Sequence, residues 1–202
     1  MSDIFDQIDF DKGEGLVPAI VQNAETLQVL MLGYMSQESV AKTLDSQKIT
    51  FFSRSRQTLW TKGETSGNVL NLVSMTLDCD HDTLLILARP EGPTCHEGTV
   101  SCFGKDGPQG VGFLAYLDDI IKSRANASPD DSYTARLLSG PLRRAAQKVG
   151  EEGVETALAA VAEDEEALLG ESADLLYHLI VLLRAKGLSL NDAIKVLQSR
   201  HS

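Results

Sequence analysis

Short apolar runs broken by Gly, Asn, Asp and Pro fill the first half of the chain. Val17–Asn23 (VPAIVQN), Thr26–Met35 (TLQVLMLGYM), Ile49–Ser55 (ITFFSRS) and Thr83–Pro90 (TLLILARP) read as strands. Ser36–Lys48 departs from that pattern. Ser36 suits a helix N-cap, and Val40 and Leu44, four apart, share one helical face. Many short strands with one helix predict a compact α+β unit, β-rich and possible to close as a small barrel. Gly104, Gly107, Pro108, Gly110 and Gly112 then cluster, and beyond them the period becomes helical. In Phe113–Ala125, Leu114, Leu117, Ile120 and Ile121 fall on one face, and Asn126–Ser132 reads as a turn. Pro141 is tolerated as a first helical residue. Helical patterning runs from there to Ala162 and again from about Glu165 to Lys186, where Gly187 suits a C-cap. Ser189 with Asp192 resembles a capping box for a last helix. Four or five helices predict a bundle that buries one face of each, against a second copy of the chain. The expected division is residues 1–112, a β-rich metal-binding α+β domain, and residues 113–202, an all-α bundle. No internal repeat is visible.

Composition narrows the classes. The chain has 202 residues, 43% apolar and 23% charged, which is ordinary for a folded protein and excludes disorder as the main state. The net charge is −11. Residues 1–110 hold 8 basic against 15 acidic side chains and residues 111–202 hold 10 against 14, so neither half is a basic binding module. Such a surface repels phosphate backbones and excludes nucleic acid as a general partner. A phosphorylated substrate would need local cations. The apolar stretch Leu175–Leu183 is too short to span a bilayer and contains His178. The N-terminus lacks a signal pattern, so the expected compartment is the cytoplasm, with no membrane partner. Three cysteines, an odd number, argue against a disulfide framework.

Asp78, Asp80 and Asp82 alternate through DCDHD. On an extended strand they would project from one face and repel unless a cation such as Mg²⁺ lay between them. A calcium EF-hand is excluded, because its sixth and twelfth positions would be Thr83 and Arg89. Cys79 should point to the opposite face. With Cys95 and Cys102 it offers three thiolates, enough for a zinc site that keeps one position for water. Three unrelated cysteines acting as small apolar residues would show the same spacing. Two polar stretches lie nearby: SRSR, with Arg54 and Arg56, and KGETSGN, with Lys62, Gly63, Thr65, Ser66, Gly67 and Asn68. Together they could hold a phosphate, or they could be a strand edge and a hairpin turn.

KVGEEGVET places Glu151, Glu152 and Glu155 on one side of a helix. Like charges at that spacing cost roughly 0.2–0.5 kcal/mol per pair, and Gly150 and Gly153 each about 1 kcal/mol relative to Ala. Glu171 and Asp174 follow on the next helix, with His178 one turn further. Antiparallel helices could bring these carboxylates into an oxygen-rich cage for Mg²⁺, with Arg143, Arg144 and Lys148 upstream for phosphates. A solvated helix face is the competing explanation, and it is the default for Glu163–Glu166.

VPAIVQN, VLMLGYM, FFSRSR, LWTKGETSGN, DCDHDTLL and GPTCHEGTVSCF, in this order, resemble phosphoribosyl-AMP cyclohydrolase over nearly all of residues 10–104. The resemblance implies zinc at Cys79, Cys95 and Cys102 with ligands shared across a homodimer, Mg²⁺ at Asp78, Asp80 and Asp82, and proton transfer by His96. Asn23 departs from the family's pattern, where Asp is expected. E-E-x-x-E followed by E-x-x-D resembles the all-α pyrophosphohydrolases. SYTARLLSGP, QKVGEEGVE and ESADLLYHLIVLL narrow this to phosphoribosyl-ATP pyrophosphohydrolase over about residues 113–202. That implies a helical dimer, Mg²⁺ held by Glu151, Glu152, Glu155, Glu171 and Asp174, and water activation by Glu152 or Glu155. The pair resembles a bifunctional histidine-biosynthesis family. One half would convert phosphoribosyl-ATP to phosphoribosyl-AMP and pyrophosphate; the other would open the adenine ring at N1–C6 with zinc-activated water. The rival expectations are a housekeeping nucleoside-triphosphate pyrophosphatase with an inactive zinc domain, and a non-enzymatic zinc- or nucleotide-binding regulator.

Overall fold

A computed structural model describes residues 2–201. The chain divides into two compact units, Met1–Phe113 and Leu114–Ser202. In the first, a short helix α1 (Ser2–Phe5) precedes strands β1 (Leu16–Asn23) and β2 (Val29–Ser36) and helix α2 (Gln37–Ser46). Strands β3 (Thr50–Ser53), β4 (Thr58–Thr61), β5 (Leu70–Leu77) and β6 (Leu84–Pro90) follow. The main sheet has the order β2-β1-β6-β5, with β1 and β6 parallel and the other pairs antiparallel; β3 and β4 form a separate hairpin.

Alternation sets the core. Val17, Ala19 and Val21 of β1 share their buried face with Leu84, Ile86 and Ala88 of β6, and Leu30 and Met35 of β2 join them. Val40 of α2 and Ile49 and Phe51 close the cluster. Gly33 is required there, because a Cβ would lie 2.4 Å from the Phe51 ring. Ser36 caps α2 as expected, its Oγ accepting the N–H of Ser39. Thr26–Gln28, expected within a strand, instead belongs to the β1–β2 connection, whose turn is residues 24–26. The Asn23 side-chain oxygen accepts the N–H groups of Glu25 and Thr26 at 2.8 and 3.0 Å. A carboxylate oxygen at this position could accept the same two N–H groups. Strand β5 was not expected because a bulge between Leu72 and Ser74 breaks its alternation.

DCDHD is not strand. It forms the β5–β6 connection, and the alternating-face argument for Asp78, Cys79, Asp80 and Asp82 does not apply. Asp78 Oδ1 accepts the N–H groups of Asp82 and Thr83, both at 3.1 Å, and His81 takes a left-handed φ of 67°. The aspartate itself turns the chain back.

The second unit is all-α: α3 (Gly112–Ser123, beginning at the division), α4 (Tyr133–Ser139), α5 (Leu142–Ala162), α6 (Glu165–Ala185) and α7 (Leu190–His201). Pro141 is the N-cap of α5 rather than its first residue. Ile121, Leu137, Ile180 and Val181 form the core. Buried Asp118 accepts from Arg184 Nε and from the Leu190 N–H, tying α3, α6 and α7 together. Gly187 ends α6 in a Schellman arrangement, with φ 74° and N–H bonds from Gly187 to Arg184 and from Leu188 to Leu183. The Ser189–Asp192 capping box forms, with N–H bonds of 2.9 and 3.2 Å. Among the described residues no helix is long and apolar enough to cross a membrane.

Candidate functional site

Each unit assembles one group of three carboxylates. In the first, Asp78, Asp80 and Asp82 each place an oxygen within 4.8 Å of the others. The turn that replaces the expected strand does this by folding the segment onto itself. Partial desolvation opposes ionisation of Asp78, but the N–H groups of Thr83 and Asp82 outweigh it and hold the carboxyl below its usual range.

Sequence reasoning missed the cation that faces this group. The Asp9 N–H donates to the His81 carbonyl at 2.8 Å and brings the 3₁₀ turn Asp11–Gly13 over the loop. Lys12 Nζ then lies 2.7 Å from the Asp80 carbonyl, 3.0 Å from Asp80 Oδ2 and 3.6 Å from Asp82 Oδ2. An ammonium among converging oxygens marks a place that fits a cation, and oxygen donors suit Mg²⁺. Nothing in the sequence pairs Lys12 with Asp80 at that separation. If Lys12 stands in for the metal, Lys12→Gln tightens Mn²⁺ binding at this site a few-fold. Titration of the full chain, with Asp80→Asn identifying the site's share, checks this; weaker binding would make Lys12 a support for the site instead.

Cys95 and Cys102 come together on the loop after β6, and each perturbs the other. The Glu97 N–H and the Thr99 hydroxyl pull the Cys95 thiol down. Burial pushes Cys102 up, reinforced by the Cys95 charge and opposed by Lys62. Among the described residues Cys79, Cys95 and Cys102 do not gather within 4.8 Å of one another, so one chain does not assemble the three expected thiols. Two neighbouring sulfurs suit a soft divalent metal, but as an incomplete set. His96 is exposed, with Nδ1 3.8 Å from Cys95 Sγ.

The polar stretches are turns. Arg54 and Arg56 lie between β3 and β4, with the Arg54 guanidinium 3.7 Å above the Tyr34 ring. A cleft of about 650 Å³ is walled by Tyr34, Phe52, Arg54 and the Gly13–Gly15 turn. Lys62 is buried beside Cys102, and residues 63–68 form the loop after β4. Gly63 is obligatory, with φ 85° and a Cβ position 2.4 Å from the Asn68 backbone. Thr65, Ser66 and Gly67 are exposed along that loop.

In the helical unit Glu152, Glu171 and Asp174 converge, again within 4.8 Å. Glu152 is buried, and Lys148 Nζ is 2.6 Å from its Oε1. Glu151 does not join the group. Its oxygens take Lys148 at 3.0 Å and Gln147 at 2.7 Å. Glu155 is exposed at the margin, near enough to contribute to Glu171. Partial burial, then Glu155, Glu152 and Asp174, push Glu171 above its ordinary value. Lys148 is held above its own range by Glu152 and Glu151. One ammonium against three converging carboxylates leaves a net negative cavity that fits a further divalent cation. Arg143 is exposed on the first turn of α5.

Comparison with known proteins decides the family. A sequence model of the phosphoribosyl-AMP cyclohydrolase family matches residues 31–104, and one of the phosphoribosyl-ATP pyrophosphohydrolase family matches residues 114–201. The histidine biosynthesis bifunctional protein HisIE of Xanthomonas axonopodis is 60% identical over 96% of this chain and 93% of its own length. The chain belongs to this bifunctional histidine-biosynthesis family. Its counterparts in Vibrio cholerae and Escherichia coli are 57% and 56% identical, over 97% and 96% of this chain and 94% and 96% of their own lengths. A cyclohydrolase segment and a pyrophosphohydrolase segment therefore share one chain, and each contains one of the two carboxylate groups.

Proposed function

We propose that the chain carries out two consecutive hydrolyses as a cytoplasmic homodimer. The helical unit cleaves phosphoribosyl-ATP between its α- and β-phosphates, giving phosphoribosyl-AMP and pyrophosphate. The β-rich unit then adds water at C6 of the adenine ring and breaks the N1–C6 bond. The observation that carries this reading is that each family-matched segment assembles its own converging carboxylates.

In the helical unit Glu152, Glu171 and Asp174 hold Mg²⁺, which neutralises triphosphate charge when bound. Lys148 and Arg143 meet phosphate oxygens. Glu151 positions Lys148 rather than binding metal, and Glu155, beside the group and outside it, takes the proton of the attacking water.

In the β-rich unit Asp78, Asp80 and Asp82 hold Mg²⁺. Cys95 and Cys102 would hold zinc with Cys79 contributed by the second copy, and the chemistry such a zinc would supply is a bound water whose pKa is brought toward neutrality. The separation of Cys79 from the other two thiols supports that sharing. Arg54, Arg56, Lys62 and the 63–68 loop bind the substrate's phosphates. His96, next to Cys95, moves a proton to N1 as the N1–C6 bond breaks.

The test is turnover of phosphoribosyl-ATP by the full chain, following pyrophosphate and ring-opened product alongside zinc analysis. The expected result is both products and one zinc per chain. Equal cleavage of ordinary nucleoside triphosphates without ring opening would identify a housekeeping pyrophosphatase. Absence of pyrophosphate would leave a binding protein.

A further inference from the structure

The two hydrolyses leave a buried ionisable group beside the carboxylates of the helical unit unused. His178 follows Asp174 by one turn of α6, and its side chain is 7% exposed. Its Nδ1 lies 2.9 Å from the Asp174 carbonyl oxygen and 3.6 Å from Glu152 Oε1 on α5. A carbonyl only accepts, so Nδ1 carries a hydrogen. In the neutral ring Nε2 is then the acceptor, and the Tyr133 hydroxyl donates to it across 3.1 Å. The rings of Tyr133 and Tyr177 stand edge-on to the imidazole at 88° and 81°, with centroids 6.0 and 5.0 Å away. Tautomer and ring plane are therefore both set, and the Nδ1–H is held where the Asp174 turn and the Glu152 carboxylate approach each other.

We infer that His178 and Tyr133 are positioning residues for the carboxylate group of the pyrophosphohydrolase unit. Tyr133 fixes the imidazole, whose Nδ1–H is bonded to the Asp174 carbonyl and whose edge stands 3.6 Å from the Glu152 oxygen that Lys148 holds from α5, so the ring sets how closely Glu152 and the Asp174 turn of α6 approach. This rests on the reading that Glu152, Glu171 and Asp174 take a divalent cation. It also gives a physical reason for two motif residues that are not metal ligands: the tyrosine of SYTARLLSGP on α4 and the histidine of ESADLLYHLIVLL on α6 are the two ends of one hydrogen bond.

The fold supplies its own control. Thr134 Oγ1 and the Tyr177 hydroxyl, 2.7 Å apart, join the same two helices without touching the carboxylates. The experiment is Mn²⁺ binding to the full chain, read as free Mn²⁺ by electron paramagnetic resonance. Asp174→Asn defines the share bound by the helical unit. Tyr133→Phe is expected to weaken that share several-fold. Thr134→Val frees only the Tyr177 hydroxyl, whose ring packs edge-on to the imidazole without a hydrogen bond to it, so it should lower the melting temperature comparably and weaken Mn²⁺ binding clearly less than Tyr133→Phe. His178→Asn, whose amide nitrogen can replace Nδ1–H, should retain more affinity than His178→Phe. If Asp174→Asn loses no Mn²⁺ relative to the unaltered chain, the cation site and this role fall together. If that share exists but Tyr133→Phe and Thr134→Val affect it alike, the cation site stands and the positioning role is overturned.

Discussion

Replacing Cys102 with alanine is expected to abolish ring opening of phosphoribosyl-AMP while pyrophosphate release from phosphoribosyl-ATP continues. Cys102 is one of the two sulfurs that one chain brings together, and each alters the other's ionisation. Losing an outer partner of a metal ligand costs roughly 10–100-fold in metal affinity or activity, and losing the ligand itself should exceed that. The local backbone does not depend on the thiol. The Cys102 N–H donates to the Leu30 carbonyl at 2.8 Å, and Ser101 Oγ donates to the Val29 carbonyl at 2.8 Å. The substitution should therefore leave the melting temperature of metal-free protein nearly unchanged. Zinc content and both activities are the measurements. A variant with stoichiometric zinc and undiminished ring opening would remove Cys102 from the site.

Glu152→Gln and Asp174→Asn should each lower pyrophosphate release at limiting Mg²⁺ by more than the roughly 10–100-fold cost of losing an outer partner, with ring opening from supplied phosphoribosyl-AMP intact. Their effects on stability diverge. Asp174 is exposed and helps push Glu171 upward. Asp174→Asn relieves that repulsion and should hold or raise the metal-free melting temperature. Glu152→Gln removes the buried partner of Lys148, which keeps only Glu151, and should lower it. The pH dependence has a definite sign. Because Glu171 binds its proton more tightly in the folded chain, metal-free stability falls as pH rises from the ordinary glutamate value of 4.5 through the raised one. That fall should shrink in Asp174→Asn. Melting curves over a pH series without metal, then both assays over a Mg²⁺ titration, check these outcomes. Unchanged release in both variants would mean the carboxylates form only a solvated face.

The two-part organisation and most of the strands and helices were legible because the hydrophobic period changes from two to 3.6 across the glycine cluster. Caps were legible for the same local reason: Ser36, Gly187 and Ser189–Asp192 each act within a few residues of themselves. What failed depended on groups brought from elsewhere. Asp78 was read as one of three aspartates on a strand, yet its side chain bonds the N–H groups four and five residues on and makes the turn instead. Lys12 reaches Asp80 only because Asp9 bonds His81. Helical spacing offered Glu151, Glu152 and Glu155 equally as ligands. It could not show that α6 faces Glu152 while Lys148 and Gln147 occupy Glu151. The sequence marks Asn23 as a departure, but its part in closing the β1–β2 turn is visible only in the structure.

Because β1 pairs with β6 in parallel, Ala19 meets Leu84 only after every intervening strand and α2 have been looped out. Pairings between distant segments form slowly, whereas α5 and α6 are neighbours in sequence joined by a tight turn. On a ribosome the β-rich unit emerges first, yet its closing strand lies near its own end. The turn carrying Asp78, Asp80 and Asp82 immediately precedes that strand. Yet that turn is closed by Asp78 on the N–H groups four and five residues ahead, within the β5–β6 hairpin, so a nascent chain can gather these carboxylates before β1 and β6 pair.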